Sequence, residues 1–340
     1  MDLLQIACAP FLTGALTAAA TAGVADLLHD GPLSTEELAA ATNLQEPVLQ
    51  RILQLLSAVN IFERQEDDRW VNNEASEPLR TGHKASVRYF CMLAGREYAR
   101  SFTEVMHTAR TGESAFRHIY GSSIYSYMDA DRTAGEIYDR AMEDLARPVG
   151  ALLSKQYDFS GASTLVDVGG GNGTLLKGIL RSVPAIRGVC LDRKDVCDRA
   201  RGRMAETIES DLAERLSFTE GDFFAGVPAG ADVYLLKNVL HNWADDSSVK
   251  ILSSIRSAMR PESRLLVLEP LMQKGSQDVA RLIDDLFQMV VCEQGTTART
   301  HQQMETLLGH AGLEVVQTLK LPTGHTAMVS CARAGMVGSV

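Results

Sequence analysis

The hydrophobic positions change their rhythm about halfway along the chain. After Phe159 short apolar runs alternate with amphipathic stretches, which is typical of a parallel sheet whose strands are joined by crossover helices. The predicted strands are 164–168, 188–192, 216–220, 233–237, 264–269, 313–319 and 327–332. We therefore predict an α/β domain with a Rossmann-like, doubly wound sheet at residues 156–335.

The N-terminal region has a different pattern. Ser34, with a glutamate three residues later, marks the start of a short helix, and a longer helix is predicted over 46–59 before a polar hairpin through 64–69. This order of elements predicts a winged helix, a module that can bind DNA. The longer helix exposes only Arg51 as a basic residue and the hairpin is acidic on balance, so we interpret residues 1–83 as a dimerisation domain.

Two helical stretches complete the N-terminal half. Residues 84–155 are rich in Tyr, Met and Phe, and we predict that they link the two domains and line a substrate pocket. The run from Leu3 to Ala25 is uncharged but lacks the basic segment of a signal peptide. Pro10 and the Ala-rich composition make it a poor membrane span, whereas packing against another subunit suits it. We expect a homodimer and no membrane partner; an ordinary packed helix remains open.

Charge and cysteine content narrow the range of partners. The chain has 33 basic and 43 acidic residues, a formal net charge of -10, which repels a phosphate backbone and argues against a nucleic-acid partner. The six cysteines have no metal-ligand spacing. We read them as reduced thiols of a cytoplasmic protein and predict no metal site.

A glycine-rich turn after the first strand of the α/β domain indicates a nucleotide site. Glycines from Gly169 onward allow backbone to approach a ligand, and the following helix offers free N–H groups. Thr174 stands where a dinucleotide fingerprint needs its third glycine. Asp167, just before the turn, suits a cofactor that carries an ammonium and a sulfonium better than a pyrophosphate.

Acidic and aromatic residues end the next two strands. Asp192 can accept hydrogen bonds from both ribose hydroxyls. Asp222 and Phe223 would supply an acceptor and an aromatic face to the adenine. Each residue alone could be a helix cap or a core residue, but their arrival at successive strand ends, where open α/β sheets bind ligands, favours a cofactor site.

His241 follows the fourth strand of this domain, at the edge of the expected crevice. A lone histidine in an apolar stretch is more often a packing residue. A phenol has a pKa of about 10 and an imidazole one of about 6.5, so a neutral histidine within hydrogen-bond reach can take a phenolic proton as the oxygen attacks. Its position therefore makes His241 a candidate general base.

Three segments, 166–173, 221–224 and 236–243, together resemble the small-molecule O-methyltransferases of plants and actinomycetes, the caffeate, flavonoid, anthracycline and mitomycin types. The resemblance covers essentially the whole chain, including the winged-helix start. It implies S-adenosylmethionine as cofactor, a small aromatic substrate from secondary metabolism such as antibiotic biosynthesis, and a homodimer with two active sites.

The resemblance also implies roles for individual residues. His241 matches the general base and Glu269 matches a carboxylate that orients it. The positions that match cofactor contacts are Gly169, Gly171, Asp192, Asp222, Phe223 and Lys237. Met142 and Met289 match methionines that clamp an aromatic substrate, although plain core packing remains open for both.

Two positions depart from the family pattern. Asn242 stands where Asp usually follows the histidine, and the matching Asn in anthracycline-type enzymes binds substrate. Ala298 stands where a second carboxylate commonly precedes an Arg-Thr pair, which leaves His241 less electrostatic support. The leading hypothesis is O-methylation of a phenol. C-methylation of an activated ring or enol, a cofactor-retaining pericyclase or hydroxylase, and a ligand-sensing regulator remain alternatives.

Overall fold

The computed structural model describes residues 2–206 and 210–333. The helices are α1 (Leu3–Ala22), α2 (Val24–Leu27), α3 (Thr35–Thr42), α4 (Glu46–Ser57), α5 (Arg88–Leu93), α6 (Ala99–Phe102), α7 (Val105–Thr111), α8 (Ala115–Tyr120), α9 (Ile124–Ala130), α10 (Arg132–Gln156), α11 (Thr174–Ser182), α12 (Lys194–Glu206), α13 (Ser210–Ala213), α14 (Asp245–Ala258), α15 (Val279–Val291) and α16 (His301–His310). The strands are β1 (Glu63–Arg64), β2 (Trp70–Val71), β3 (Thr164–Val168), β4 (Arg187–Asp192), β5 (Leu216–Glu220), β6 (Val233–Lys237), β7 (Arg264–Glu269), β8 (Leu313–Lys320) and β9 (Thr326–Ala332). Short 3₁₀ turns cover Glu77–Leu79 and Leu240–Asn242, and a π-helical turn covers Ala94–Tyr98.

The described chain forms two compact units. One comprises the residues up to Thr103 together with Arg132–Leu145, and the other comprises Glu104–Asp131 and the described residues from Ala146 onward. The domain boundaries expected after residues 83 and 155 stay predictions, and the expected end at residue 335 lies outside the described residues.

The N-terminal unit contains the predicted helix–turn–helix–hairpin order. A capping box starts α3, since the Glu37 N–H donates to Ser34 Oγ (3.1 Å) and the Ser34 N–H donates to the Glu37 carboxylate (2.7 Å). The core lies under α4, whose Leu49, Leu53 and Leu56 are buried at helical spacing. β1 and β2 pair antiparallel to complete the wing. The helix α4 ends at Ser57, two residues before its predicted end.

The first helix, α1, leaves much of its apolar surface uncovered within the chain. Leu3, Leu4, Ile6 and Phe11 are exposed, while its alanines Ala15, Ala19 and Ala20 are buried. By length and composition alone α1 could cross a membrane, which is weak evidence because core helices and signal sequences pass the same test.

The second unit holds the predicted doubly wound sheet. Its strand order is β5-β4-β3-β6-β7-β9-β8, with helices on both faces. Neighbours from β5 to β7 are parallel, and all seven strands lie within one residue of the predicted bounds. β9 is antiparallel to both β7 and β8. The loop between β8 and β9 is too short for a crossover helix, so this pair forms a hairpin at the end of an otherwise parallel sheet.

Chain direction across the sheet reverses between β3 and β6. From β3 the chain moves outward to β4 and β5, and it then returns to add β6 and β7 on the other side. Side chains alternate along β3, with Val166 and Val168 in one core and Leu165 in the other. In open α/β sheets a ligand crevice lies at the carboxyl ends of the two strands that flank such a reversal. The loops after β3 and β6 are therefore the expected borders of a ligand crevice.

Candidate active site

The loop after β3 is shaped by left-handed glycines. Gly169, Gly171 and Gly173 have φ values of 72°, 60° and 76°, a region that side chains with a Cβ rarely adopt. A Cβ at Gly169 would lie 3.1 Å from Val239 Cγ2, whereas one at Gly171 would meet nothing within 4 Å. The loop thus packs closely at its first glycine and borders open space at Gly171.

Asp192, at the carboxyl end of β4, is hydrogen-bonded to this loop. The Gly171 N–H donates to Asp192 Oδ2 (2.8 Å), and the Arg193 N–H donates to Asp192 Oδ1 (2.8 Å). The Arg193 guanidinium in turn donates to the Tyr125 carbonyl (2.8 Å) and pairs with Asp129. The structure therefore brings Asp192 to the glycine loop with its carboxylate in a set orientation.

The residues after β5 add an aromatic wall. Phe223 lies beside the loop, because its Cε1 would be 3.6 Å from a Cβ at Gly169. Both Phe223 and Phe224 meet Trp243 edge-on, with ring centroids 5.9 Å and 4.9 Å from it. Asp222 is exposed and accepts a hydrogen bond from the Phe224 N–H (2.9 Å).

Two buried groups of opposite charge lie below the loop. Asp167 is 1% exposed, and burial raises the pKa of its carboxyl to about 7 against the opposing effect of Lys237. Burial lowers the pKa of the Lys237 ammonium, and the negative charges of Glu269 and Asp167 oppose this effect. Within the described chain Asp167 Oδ2 has no hydrogen-bond partner. A buried carboxylate oxygen in this state suits a cationic ligand group.

His241 lies in the 3₁₀ turn that follows β6. Its Nδ1 is 3.4 Å from Glu269 Oε2, and its side chain is 16% exposed. Burial, followed by the nearby charges of Lys237, His325 and Arg299, lowers the pKa of His241 to about 3. The imidazole is therefore neutral at physiological pH, as a general base requires.

Glu269, at the end of β7, is 2% exposed and fixed by backbone. Its Oε1 accepts hydrogen bonds from the N–H groups of Val239 (3.1 Å) and Leu240 (2.9 Å). Burial raises the pKa of Glu269 to about 7, which these hydrogen bonds and Arg299 oppose. Oε2 remains directed at His241, so the predicted pair is brought together.

Arg299 is a positioning residue that sequence reasoning missed. Its guanidinium, 4% exposed, donates to the carbonyls of Leu240 (2.7 Å) and Trp243 (2.7 Å) and pairs with Asp245 (2.8 Å). It thereby holds both ends of the turn that carries His241. The only sequence signal is its place before Thr300, which caps α16.

Asn242 is oriented by a second network. Its Nδ2 donates to the Asn238 carbonyl (3.1 Å), and its Oδ1 accepts from Cys292 Sγ at 3.4 Å. Asn238 itself has a left-handed backbone (φ 54°) and a side-chain Oδ1 3.0 Å from His325 Nε2. Cys292 and His325 were not predicted, because single Cys and His residues far along the chain carry no motif.

An open pocket of about 1480 Å³ of atom-free space adjoins this turn. Asn242, Trp243 and Tyr125 line it, together with residues of α8 and of the segment after α15. The Tyr125 and Trp243 rings lie nearly parallel with centroids 5.8 Å apart, which gives the pocket an aromatic side. The pocket has room for a small aromatic molecule, and the Tyr125 and Trp243 rings offer such a molecule a flat face.

The two predicted clamp methionines belong to different units. Met289 lies on α15 in the sheet-containing unit and is 39% exposed. Met142 lies on α10 in the N-terminal unit, where it is half-buried. Their predicted joint role at a substrate stays a prediction.

Comparisons with known proteins identify two matching family models. One is described as an O-methyltransferase domain and matches residues 102–314, and the other is described as an O-methyltransferase dimerisation domain and matches residues 4–81. Among curated relatives, the mitomycin biosynthesis 6-O-methyltransferase of Streptomyces lavendulae is 35% identical over 335 residues, which cover 98% of this chain and 93% of that protein.

Solved structures agree with these matches. The crystal structure of LaPhzM has a TM-score of 0.91 at 32% identity, with 97% of this chain and 98% of that chain covered. The O-methyltransferase NcsB1 from neocarzinostatin biosynthesis, in complex with S-adenosylmethionine and 2-hydroxy-5-methyl naphthoic acid, has a TM-score of 0.79 at 29% identity, with 98% and 97% covered.

Proposed function

Because the chain belongs to the O-methyltransferase family, we propose that His241 is the general base of a methyl transfer from S-adenosylmethionine to a phenolic hydroxyl of a small aromatic secondary metabolite. The observation that carries this proposal is the position of His241 Nδ1 at 3.4 Å from the fixed carboxylate of Glu269, and the lowered pKa of His241 agrees with a neutral imidazole there. An ionised glutamate on the Nδ1 side would favour the tautomer with its proton on Nδ1, which leaves Nε2 able to accept one.

The cofactor site is proposed from the residues around the glycine loop. Gly169 and Gly171 would let backbone approach the ligand, and Asp192 would accept the ribose hydroxyls. Asp222 and Phe223 would contact the adenine. Lys237, below the glycine loop, would be a further contact to the cofactor. The open space at Gly171 and the unpartnered Asp167 Oδ2 fit a cofactor with cationic groups. When bound, S-adenosylmethionine supplies a methyl group activated by a sulfonium.

The substrate site is proposed in the open pocket. Asn242 would bind a substrate oxygen, since its amide orientation is set by Asn238 and Cys292. Met289, which belongs to the same unit as this pocket, would pack against the ring. Alignment of the phenol with the methyl group is the main contribution that the protein makes to such an in-line displacement. His241 then removes the phenolic proton, and Glu269 stabilises the imidazolium that forms.

The N-terminal unit and the composition of the chain support proposals about its oligomeric state, its partners and its location. The match to a dimerisation domain supports a homodimer, and the exposed apolar side chains of α1 offer a surface that a second subunit can cover. The net charge of -10 supports a protein that binds neither nucleic acid nor an anionic membrane surface. We propose a cytoplasmic location because the six cysteines suit reduced thiols.

The experiment is transfer of a labelled methyl group from S-adenosylmethionine to a panel of phenols and hydroxylated aromatic acids. We expect His241→Gln to reduce turnover by about 10²-fold or more while cofactor affinity is kept. His310→Gln, which changes an exposed histidine on α16, is the matched control. Wild-type turnover by His241→Gln would contradict the base assignment.

Product analysis separates the alternatives. NMR of the product distinguishes a methyl ether from a methyl group on carbon. Substrate conversion without formation of S-adenosylhomocysteine would instead indicate an enzyme that uses the cofactor as a fixed positive charge, as in a pericyclase or hydroxylase.

A further inference from the structure

A small cavity borders the His241–Glu269 pair. It has about 270 Å³ of atom-free space, part of it open to solvent, and Asp284 and Gln288 of α15 line it together with Ala298 and Arg299. Within the described residues, His241 Nδ1 and Glu269 Oε2 are buried atoms without a hydrogen-bond partner. Among the described residues that line this cavity, Glu269 and Asp284 are the two with carboxylates.

The charges around His241 oppose protonation of its ring. Lys237, His325 and Arg299 all act to lower its pKa. Burial lowers the pKa of His325 to about 4, so Lys237 and Arg299 are the effective cations, and Asp245 pairs with Arg299. A backbone hydrogen bond to Asn238 opposes them, and the nearby Glu269 already accepts two backbone hydrogen bonds through Oε1. A further negative charge near the ring would favour formation of the imidazolium.

Asp284 is held at the cavity by its own helix. Gln288, one turn later and 3% exposed, donates from Nε2 to Asp284 Oδ1 (3.4 Å), and its Oε1 accepts from Cys292 Sγ (3.0 Å). Cys292 also contacts Asn242, the neighbour of His241, so polar contacts run from α15 to the catalytic turn. The Asp284 carboxyl lies in low-dielectric surroundings, and this burial raises its pKa. The charge of Arg281 lowers the pKa of Asp284, and the charge of Asp285 raises it.

We propose that Asp284 is a positioning residue for the methyl transfer, whose carboxylate stabilises the protonated state of His241 across the cavity that both residues share with Glu269. The inference rests on the proposed role of His241 as base. Ala298 contributes only a methyl group to the same cavity, so α15 supplies a negative charge that the segment before α16 does not.

The first test is Asp284→Asn. We expect a loss of about tenfold in kcat with an unchanged dissociation constant for S-adenosylmethionine. We also expect the ionisation of Glu269 in the pH profile of kcat/KM to move to lower pH, because a nearby negative charge has been removed. A merely structural role would not move this midpoint. Asp246→Asn, the same change at an exposed carboxylate on α14, is the matched control.

The second test restores the charge from another position. Ala298→Glu in the Asp284→Asn background should recover part of the lost kcat and return the midpoint towards its original pH, because residue 298 borders the same cavity. If Asp284→Asn does not fold, Ala298→Glu in the otherwise native chain should raise the midpoint. Equal kcat and midpoint in native enzyme and Asp284→Asn would overturn the inference. Methyl transfer that depends on His241 would still stand in that case.

Discussion

The two sides of the crevice are built in different ways. On the cofactor side, the loop after β3 is shaped by the left-handed backbone of Gly169, Gly171 and Gly173, and Asp192, 21 residues away, accepts a hydrogen bond from the Gly171 N–H. On the acceptor side, the turn that carries His241 depends on side chains that are much farther along the chain. The loop on the cofactor side is held mainly by its own backbone conformation, and the turn on the acceptor side is held mainly by hydrogen bonds from distant side chains.

This difference shows where function depends on the complete fold. Glu269 reaches the catalytic turn from 29 residues away, Cys292 from 50 and Arg299 from 59. Each of these side chains is buried, so the loss of one leaves a partner unsatisfied in a low-dielectric site. We therefore expect mutations on the acceptor side to affect stability and catalysis together, and mutations on the cofactor side to affect mainly cofactor affinity.

The largest effect should come from Arg299→Met. Removal of the guanidinium takes a charged donor from the carbonyls of Leu240 and Trp243 and leaves them the longer hydrogen bonds from Ser248 Oγ (3.4 Å and 3.3 Å), so we expect the free energy of unfolding to fall by about 3 kcal/mol. Because the turn loses its support, kcat should fall by about 10²-fold or more. Urea unfolding and steady-state kinetics measure both. Arg110→Met, at an exposed position on α7, should change stability by less than about 0.5 kcal/mol.

The next effect concerns Glu269 and pH. With the pKa of His241 at about 3, the base is unprotonated throughout the usual assay range, so activity should follow Glu269, whose pKa is about 7. Above that pH the ionised Glu269 holds the proton on Nδ1, and kcat/KM should therefore rise as pH increases through about 7. Glu269→Gln should lower kcat by about 10- to 100-fold and abolish this rise. A flat profile in the native enzyme would contradict this account.

On the cofactor side we expect Asp192→Ala to weaken S-adenosylmethionine binding by about tenfold, since the mutation removes a charged acceptor and the support of the Gly171 N–H. Turnover at saturating cofactor should change less than the dissociation constant does. Isothermal titration calorimetry gives the constant directly. Equal affinities in the native and mutant proteins would refute the placement of the ribose.

The smallest effect should come from Asn242→Ala. We expect KM for the aromatic substrate to rise by about fivefold, the equivalent of one neutral hydrogen bond, with unchanged KM for the cofactor. Cys292→Ala removes a contact to the same amide and should give a weaker change in the same direction. If KM for the cofactor rises instead, Asn242 belongs to the cofactor side and the comparison between the two sides fails there.

Much of the fold was predictable because its signals are local. Apolar runs predicted all seven strands of the large sheet to within one residue, and the Ser34 capping box marked the start of α3. The antiparallel pairing of β8 with β9 was not predicted, although the loop between them is too short for the crossover helix that parallel strands need. Arg299, Gln288 and Cys292 were not predicted as site residues, because their types occur widely and no spacing links them to His241.

The sequence by itself determined the α/β class, the glycine turn and the candidate base, since periodicity, left-handed backbone and the order of strand ends all depend on neighbouring residues. Only the tertiary structure decided which buried groups surround His241 and that Asp284 borders the same cavity. It also decided that Glu269 Oε1 accepts backbone hydrogen bonds while Oε2 faces His241. The physical reason is that charges act through space at distances of a few ångströms, and the chain brings residues together from separations that no local pattern records.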